Sequence, residues 1–237
     1  TQALSGSNKN NFNTTLGREG SDYSAAIYAY CLNAESLTIW KDVPGVLNAD
    51  PRVFKNPILL QYISYTEAIE LAFYGASVIH PKTLQPLQKK EIPLYVRSFL
   101  NPDEKGTAIS RGVKIKPEVP CFIVKRNLNL LKLSSLDFSF IVEENISEIF
   151  QVLHENKMKV DLIQNSAISF SVCIYDKFNR LKELLSILKA TFKVECVENV
   201  NLFTIRHFNE TSSAEILKNN ELILEQRTDE VLQLVVR

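Results

Sequence analysis

The chain has 237 residues, which is enough for two domains of ordinary size. Lysine and arginine together number 27, as do aspartate and glutamate, so the net charge is zero. This balance disfavours a partner that is bound mainly through its phosphate charge, such as nucleic acid. Hydrophobic residues make up 45% of the sequence, which excludes a disordered chain and predicts a substantial core.

Neither the cysteines nor the histidines form a pattern typical of a metal site. No CxxC pair is present, and we interpret all four cysteines, Cys31, Cys121, Cys173 and Cys196, as small buried apolar residues. No two histidines lie four residues apart, so the sequence has no HExxH-type zinc site. No apolar run approaches the roughly 20 residues of a membrane helix, and we expect a cytoplasmic protein without a membrane partner.

Strand and helix patterns alternate through the first half of the chain. An alanine-rich helix over residues 23–30 follows Ser21, a residue suited to capping it. Ser64 and Glu67 form the capping-box pattern of a second helix, which ends at Gly75. The other predicted elements are a strand over residues 37–40, a helix from Pro81 through Gln88 and a strand over residues 92–96. This alternation predicts an α/β layer with a largely parallel sheet.

The pattern changes after residues 113–120, a polar segment with two prolines that is typical of a linker. Strand and helix patterns then follow in the order βαββαβ, the ferredoxin-like unit; they cover residues 128–133, 146–153, 160–163, 168–174, 178–188 and 192–197. A strand over residues 202–208, a short polar stretch and a hairpin at 222–226 and 231–236 come last. We expect this tail to be an abbreviated second copy, without the long first helix, that pairs with the first copy.

The densest polar signal stands at the start of the first helix. Residues 13–23 place two glycines, a hydroxyl and an acid there, where free backbone N–H groups and the helix dipole favour an anion. Arg18 adds a planar donor group suited to a carboxylate, and Asp22 is a candidate for orienting a metal or a substrate amine. An ordinary capped helix with a solvated arginine also explains this spacing.

A second polar segment, residues 40–52, follows the strand at 37–40. Lys41 and Asp42 lie at the carboxyl end of that strand, where open α/β sheets bind ligands, and Arg52 could reach a phosphate. On spacing alone, a surface loop with a charged pair is the alternative interpretation.

Together the two segments resemble the aspartate kinases of the amino-acid kinase family. Residues 14–23 read TTLGREGSDY, which differs only at Glu19 from that family's TTLGRGGSDY. Residues 41–52 resemble its (T/K)DVPGxxxxDPR loop, and residues 75–81 resemble its GAKVLHP element. The resemblance assigns residues 1–114 to the C-terminal part of an α/β/α kinase domain, residues 115–198 to an ACT domain, which is a small amino-acid sensor, and residues 199–237 to an abbreviated second ACT domain.

The resemblance implies phosphoryl transfer from ATP, with Mg²⁺ bound to the nucleotide, to the side-chain carboxylate of L-aspartate. Asp22 would be the catalytic residue, and Arg18 would hold the α-carboxylate of aspartate. The implied substrate-binding residues are Thr15, Arg18, Glu19, Gly20 and Ser21, and the implied ATP-binding residues are Lys41, Asp42, Arg52, Ser77 and Val78.

Three departures from the family pattern bear on activity. The KFGGT motif that holds the transferring phosphate is absent, so we expect this chain to be inactive alone, and its start at Thr1 fits a piece of a longer protein. Ser77 stands where the family often has lysine, which weakens the nucleotide contacts. Leu47 stands where some members have a tyrosine near the adenine.

Residues 133–138 and 160–166 resemble the ACT effector site, which binds a free amino acid, here lysine or threonine. Ala167 stands where some lysine-sensing members have a glutamate suited to an ammonium, so the resemblance does not select between these effectors. A β-turn rich in polar residues is the alternative interpretation. The implied effector-binding residues are Phe138, Asp161, Gln164, Asn165 and Ser166.

Two functions follow from these patterns. The first is a feedback-regulated aspartate kinase that forms a homodimer through its ACT domains. The second is a non-catalytic ACT-type regulatory subunit that senses amino acids. Arg18, Asp22 and Arg52 favour the first, because a pure sensor has no need of them.

Overall fold

The computed structural model describes residues 5–16, 19–76, 78–137 and 139–237. The chain divides into two compact units. Unit 1 comprises the residues up to Ile123 together with the segment Ile205–Asn209, and unit 2 comprises Val124–Thr204 and Glu210–Arg237. No helix in the described ranges is both long enough and apolar enough to span a membrane. The finer division of the second half into two ACT domains stays a prediction.

Unit 1 contains a mixed four-stranded sheet in the order β3-β5-β6-β4 and a separate hairpin, β1-β2. Its elements are β1 (Ser5–Ser7), β2 (Asn13–Thr15), α1 (Gly20–Leu32), β3 (Leu37–Lys41), β4 (Tyr62–Ser64), α2 (Tyr65–Tyr74), α3 (Pro81–Lys90), β5 (Leu94–Ser98) and β6 (Thr107–Ser110). β3 pairs with β5 and β4 with β6 in parallel, whereas β5 and β6 are antiparallel. The sheet is therefore mixed, because residues 99–106 return the chain through turns and not through a crossover helix.

The core of unit 1 lies on one face of this sheet. Along β5, Leu94 and Val96 are fully buried, while Tyr95 and Arg97 alternate with them on the other face and are only partly buried. Helices α1, α2 and α3 all pack into this core, through Ala26, Ala29, Ala68, Leu71, Leu84 and Leu87. Within the described residues the unit thus has two layers, one of helices and one of strands.

The capping signals locate the start of α2 but not that of α1. The Ser64 hydroxyl accepts a hydrogen bond from the backbone N–H of Glu67 at 3.0 Å, as predicted. Helix α1 instead begins after Glu19, so the prediction that Ser21 caps it is wrong. Glu19 has a left-handed backbone with φ of 59°, and glycine adopts this conformation without the steric cost that a Cβ brings.

Unit 2 is built on a six-stranded sheet in the order β11-β12-β10-β7-β9-β8. The elements from the second half of the chain are β7 (Cys121–Ser135), α4 (Glu143–Glu155), β8 (Lys159–Asn165), β9 (Ser169–Tyr175), α5 (Leu181–Thr191), β10 (Phe192–Arg206), α6 (Glu210–Leu217), β11 (Leu222–Arg227) and β12 (Val231–Val236). From β7 to β10 they follow the predicted βαββαβ order, and the spatial order β10-β7-β9-β8 is that of a ferredoxin-like unit.

The tail differs from the prediction in two details. Residues 202–208 are not a separate strand, because β10 runs unbroken over 15 residues to Arg206. The polar stretch that follows forms the short helix α6, whose residues Ser212 and Ile216 are buried four positions apart on one face. The polar composition concealed this helix, because only one narrow side of it contacts the core.

A bulge in β8 decides which side of the sheet its residues face. The register between β8 and β9 shifts between Val160 and Leu162, which leaves Asp161 as the extra residue. Val160 therefore packs under α4 and α5, whereas Leu162 packs into the core on the opposite face. Without the bulge the two residues, two positions apart, would face the same side.

Both faces of the unit 2 sheet are buried. Leu131 and Phe170 lie in the core under the helices, and Leu130 and Cys173 lie in the core on the other face. A side chain links the two edge strands, since the Gln164 amide of β8 donates to the carbonyl of Glu225 in β11 at 3.2 Å.

The prediction that the cysteines are buried is right for two residues and wrong for a third. Cys121 and Cys173 are buried, and burial raises the pKa of each thiol to about 12. Cys196 is partly buried. Cys31 is exposed, because it lies near the end of α1 on the side that faces away from the core.

Candidate functional site

An ion pair joins the two polar segments of unit 1. Asp22, in the first turn of α1, lies 2.9 Å from the ammonium of Lys41 at the end of β3, measured from Oδ2 to Nζ. The two side chains are only 13% and 20% exposed. Because β3 and β5 are parallel, Lys41 stands at the carboxyl edge of this pair of strands, where α/β sheets bind ligands. The structure thus brings together the predicted catalytic residue and a predicted ATP-binding residue.

The residues before Asp22 form the N-terminal turn of α1. Gly20 is buried as the first residue of the helix, and Ser21 is exposed. The Oε2 atom of Glu19 is buried and has no hydrogen-bond partner among the described residues.

The other predicted substrate-binding and ATP-binding residues say less about the geometry of the site. Thr15 is exposed on β2, paired with Ser5 of the hairpin. Val78 is partly buried and packs against the core of unit 1. Arg18 and Ser77 lie outside the described residues.

The loop that follows β3 is held by Asn48, a residue that no sequence pattern marks. Its Nδ2 donates to the carbonyl of Pro120 at 2.9 Å, and its Oδ1 accepts from the backbone N–H of Ile58 at 2.7 Å. Asn48 is only 8% exposed, so both bonds are shielded from water. Asp42, which lies earlier in the same loop, is exposed to solvent. The loop pattern leaves position 48 variable, which is why this anchor could not be predicted.

Arg52 forms a local pair with Asp50 on the surface of the same loop. Its Nε and Nη2 donate to the Asp50 carboxylate at 3.0 and 2.7 Å. The hydrogen bonds and the charge of Asp50 raise the pKa of Arg52, whose side chain is 83% exposed. A phosphate that binds Arg52 would therefore contact a solvent-exposed side chain that is already paired with Asp50.

A buried charged cluster in unit 1 was missed altogether. The Nε and Nη2 atoms of Arg206 donate to the two carboxylate oxygens of Glu67 at 2.9 and 3.0 Å, and Nη1 reaches Glu70 at 3.4 Å. His207 Nε2 lies 3.0 Å from Glu67 Oε2. The side chains of Arg206 and Glu67 are 5% and 9% exposed. The sequence marks Glu67 only as a capping residue, and no pattern connects it with residues so far along the chain.

This cluster controls the ionisation of Glu67. Burial by itself raises the pKa of the carboxyl group, but hydrogen bonds from His207 and Arg206, together with their charges, outweigh burial and lower the pKa to about 2. Glu67 is therefore an anion in the folded protein at all ordinary pH values.

The predicted effector segment of unit 2 also contains a buried ion pair. Asp161 Oδ1 lies 2.6 Å from Lys125 Nζ, with side-chain exposures of 3% and 20% for the acid and the base. Lys159 is a second, weaker partner at 3.7 Å, and its side chain is 66% exposed. The acid is thus already paired within the chain.

The other predicted effector residues lie at the end of β8 and in the turn after it. Gln164 bonds to β11, and Asn165 is exposed. Ser166 donates its backbone N–H to the carbonyl of Ser169 at 2.8 Å. Phe138 lies outside the described residues. Within the described ranges, no group of three or more His, Cys, Asp or Glu side chains is arranged to hold a metal ion.

Comparison with known proteins shows that the chain is similar to amino acid kinases and to aspartokinases. The model of the amino acid kinase family matches residues 2–98. Over 174 residues the chain is 37% identical to the lysine-sensitive aspartokinase 3 of Escherichia coli, an alignment that covers 73% of this chain and 38% of that protein. The chain thus spans well under two thirds of the length of this relative.

Two solved structures of E. coli aspartokinase III are similar to the whole chain. The complex with lysine and aspartate, in the T-state, superposes with a TM-score of 0.77 at 30% identity, over 98% of this chain and 55% of that one. The complex with aspartate and ADP, in the R-state, superposes with a TM-score of 0.75 at 30% identity, over 99% of this chain and 56% of that one.

Proposed function

The chain is related to the aspartokinases, with an amino acid kinase segment at residues 2–98, and on that premise we propose that it is part of an aspartate kinase. The reaction is transfer of a phosphoryl group from ATP to the side-chain carboxylate of L-aspartate, which gives 4-phospho-L-aspartate. This is the first step towards lysine, threonine and methionine, and we propose that lysine or threonine regulates it through ACT domains in unit 2.

The observation that carries this proposal is the ion pair between Asp22 and Lys41. Phosphoryl transfer needs positioned charges more than a protein nucleophile, and this pair fixes one acid and one base at a ligand-binding edge of the sheet. Lys41 is suited to a nucleotide phosphate, and Asp22 is suited to the substrate ammonium or to a group near the reacting atoms. The crystals of the E. coli relative that contain aspartate, and aspartate with ADP, support the substrate assignment.

The remaining parts of the proposal concern the assembly. We propose that Mg²⁺ arrives bound to the nucleotide. The 237 residues contain no KFGGT motif, so we propose that this chain alone does not turn over. We also propose a cytoplasmic homodimer formed through the ACT domains.

Binding measurements test the proposal directly. We expect the chain to bind ADP and L-aspartate in calorimetry, K41M to weaken ADP binding by about tenfold or more, and D22N to weaken L-aspartate binding by a similar factor, because each substitution removes one charge-assisted hydrogen bond. Lys55, an exposed lysine outside the ion pair, provides the matched control K55M, which should leave both affinities unchanged.

The same samples separate the kinase from the regulatory subunit. When the chain is mixed with ATP and aspartate, hydroxylamine should trap no acyl phosphate. If it does trap acyl phosphate, the proposed inactivity of the chain is wrong, but the assignment as an aspartate kinase is supported. If folded protein binds neither ADP nor aspartate but does bind lysine or threonine, the non-catalytic regulatory subunit is the better assignment.

A further inference from the structure

Glu19 places a negative charge at the start of α1, in the segment that was predicted to bind the substrate. Its carbonyl accepts the first hydrogen bond of the helix, from the backbone N–H of Tyr23 at 3.2 Å, which fixes the residue at the helix entrance. The Glu19 side chain does not cap the helix, and its Oε2 atom is buried. One oxygen of this carboxylate is therefore shielded from water, which strengthens the effect of its charge on nearby groups.

Glu19 changes the charge balance of the candidate site. Asp22 follows it three positions later in the same turn of the chain and is paired with Lys41 at 2.9 Å, so Lys41 balances Asp22. Arg18, which lies outside the described residues, adds a second positive charge by its residue type. These four residues together carry no net charge, and without Glu19 they would carry one net positive charge. The glutamate thus removes a charge excess that would attract an anion.

The backbone at this position suits glycine better than glutamate. Glu19 has φ of 59°, a left-handed conformation in which a Cβ has a steric cost. A residue that is kept in a conformation its type disfavours is a reason to look for a role of its side chain. The same geometry makes E19G a variant that should fold, because glycine relieves the strain and leaves the helix entrance unchanged.

We propose that Glu19 is a specificity-determining residue that weakens the binding of L-aspartate to this site. The inference rests on the proposed function, because it takes L-aspartate as the substrate. At neutral pH L-aspartate has two carboxylates and one ammonium, so it brings a net negative charge to a turn that Glu19 has made less positive. A zwitterion such as L-asparagine has no net charge and largely avoids this repulsion. Glu19 therefore shifts the preference of the site from anionic towards zwitterionic amino acids.

Calorimetry with L-aspartate and L-asparagine tests this inference. We expect E19Q and E19G each to bind L-aspartate about tenfold more tightly than wild type, while the affinity for L-asparagine changes by less than about twofold. E19Q changes the charge and keeps the strained backbone, so it separates the charge from the conformation. E35Q, which removes an exposed carboxylate outside the proposed site, is the matched control and should leave both affinities unchanged.

Three results would overturn the inference. The first is an unchanged or lower affinity of E19Q for L-aspartate, because a gain in E19G alone would come from the backbone and not from the charge. The second is an equal gain for L-asparagine, which would indicate a change in the shape of the site. The third is a gain of the same size in E35Q, which would indicate an effect of overall charge.

Binding of ADP to the same proteins separates this inference from the proposed function. If wild type, E19Q and E19G all bind ADP but none binds L-aspartate, the inference is overturned and the nucleotide site is still supported. If the two variants gain affinity for L-aspartate but no protein binds ADP, the inference is supported and the kinase assignment is weakened. If wild type binds both ligands and the variants bind L-aspartate no more tightly, the proposed function is supported and the inference is wrong.

Discussion

Replacing Arg206 with methionine is expected to lower the free energy of unfolding of unit 1 by about 3–5 kcal/mol. Methionine keeps much of the apolar stem but leaves the Glu67 carboxylate buried without its two guanidinium donors. The loss is large because the desolvation of Glu67 persists after its main counter-charge is gone. Urea unfolding followed by the fluorescence of Trp40 measures the effect, since Trp40 is the one tryptophan of the sequence and lies in β3 of unit 1.

Two further variants check that the loss comes from the unpaired charge. The double variant R206M/E67L should recover at least half of it, because an apolar pair of similar size leaves no buried charge. E70Q should cost less than about 1 kcal/mol, since Glu70 is 40% exposed and makes only the longest contact, at 3.4 Å. An R206M protein within about 1 kcal/mol of wild type would contradict the buried-cluster interpretation.

The same cluster predicts a pH dependence with a defined sign. The pKa of Glu67 is lowered from 4.5 to about 2 in the folded protein, so its contribution is fully present above about pH 4.5 and is lost as the pH falls towards 2. The charged and titratable groups around it are Arg206, His207, Glu70, Tyr74 and Cys121. The difference in stability between wild type and E67Q should therefore shrink as the pH drops through this window. A difference that stays constant from pH 5 to pH 2 would show that Glu67 is not held as an anion.

The second large effect is expected from Gly106→Ala, which should cost at least about 4 kcal/mol or prevent folding of unit 1. Gly106 precedes β6 and has φ of +66°, and a Cβ there would lie 2.0 Å from the backbone oxygen of Val96. Val96 belongs to β5, the antiparallel neighbour of β6. The backbone of the central strand pair would have to separate, because no side chain is involved that could turn away.

Gly112→Ala is the matched control for the strain of the backbone alone. Gly112 has a similar φ of +71°, but a Cβ at this position meets no atom within 4 Å. We expect a loss of about 1 kcal/mol, the cost of a left-handed alanine. Urea unfolding of both variants under the same conditions measures the two losses of unfolding free energy. Equal losses for the two variants would contradict the steric explanation for Gly106.

The order of elements was predictable because it depends on local patterns. The apolar faces at 146–153 and 178–188 correspond to α4 and α5, since period 3.6 requires nothing beyond neighbouring residues. The Ser64 cap was predictable for the same reason. Helix α6 was not predictable, because it is polar on most sides. The start of α1 at Glu19 was not predictable either, because Glu19 adopts a backbone conformation that its residue type disfavours.

Motifs predicted the residues of the candidate site, but they did not predict how these residues are arranged. The patterns marked Asp22 and Lys41 separately, and only the packing of α1 beside β3 shows that they form an ion pair. Asp161 was assigned to an effector from its position in a pattern. The bulge in β8 and the position of Lys125 on β7 give it a partner within the chain, and its contact with an effector stays a prediction.

The sequence by itself determined the resemblance to the aspartate kinases, the change of pattern at residues 113–120 and the segments predicted to carry the chemistry, because motifs and periodicities are properties of neighbouring residues. The tertiary structure alone decided which charges meet. Arg206 with Glu67 and Lys125 with Asp161 are pairs distant in sequence, and nothing in either local segment specifies its partner. Their contacts depend on how strands and helices are brought together, and burial then makes each pair important, since a charge removed from water requires its counter-charge.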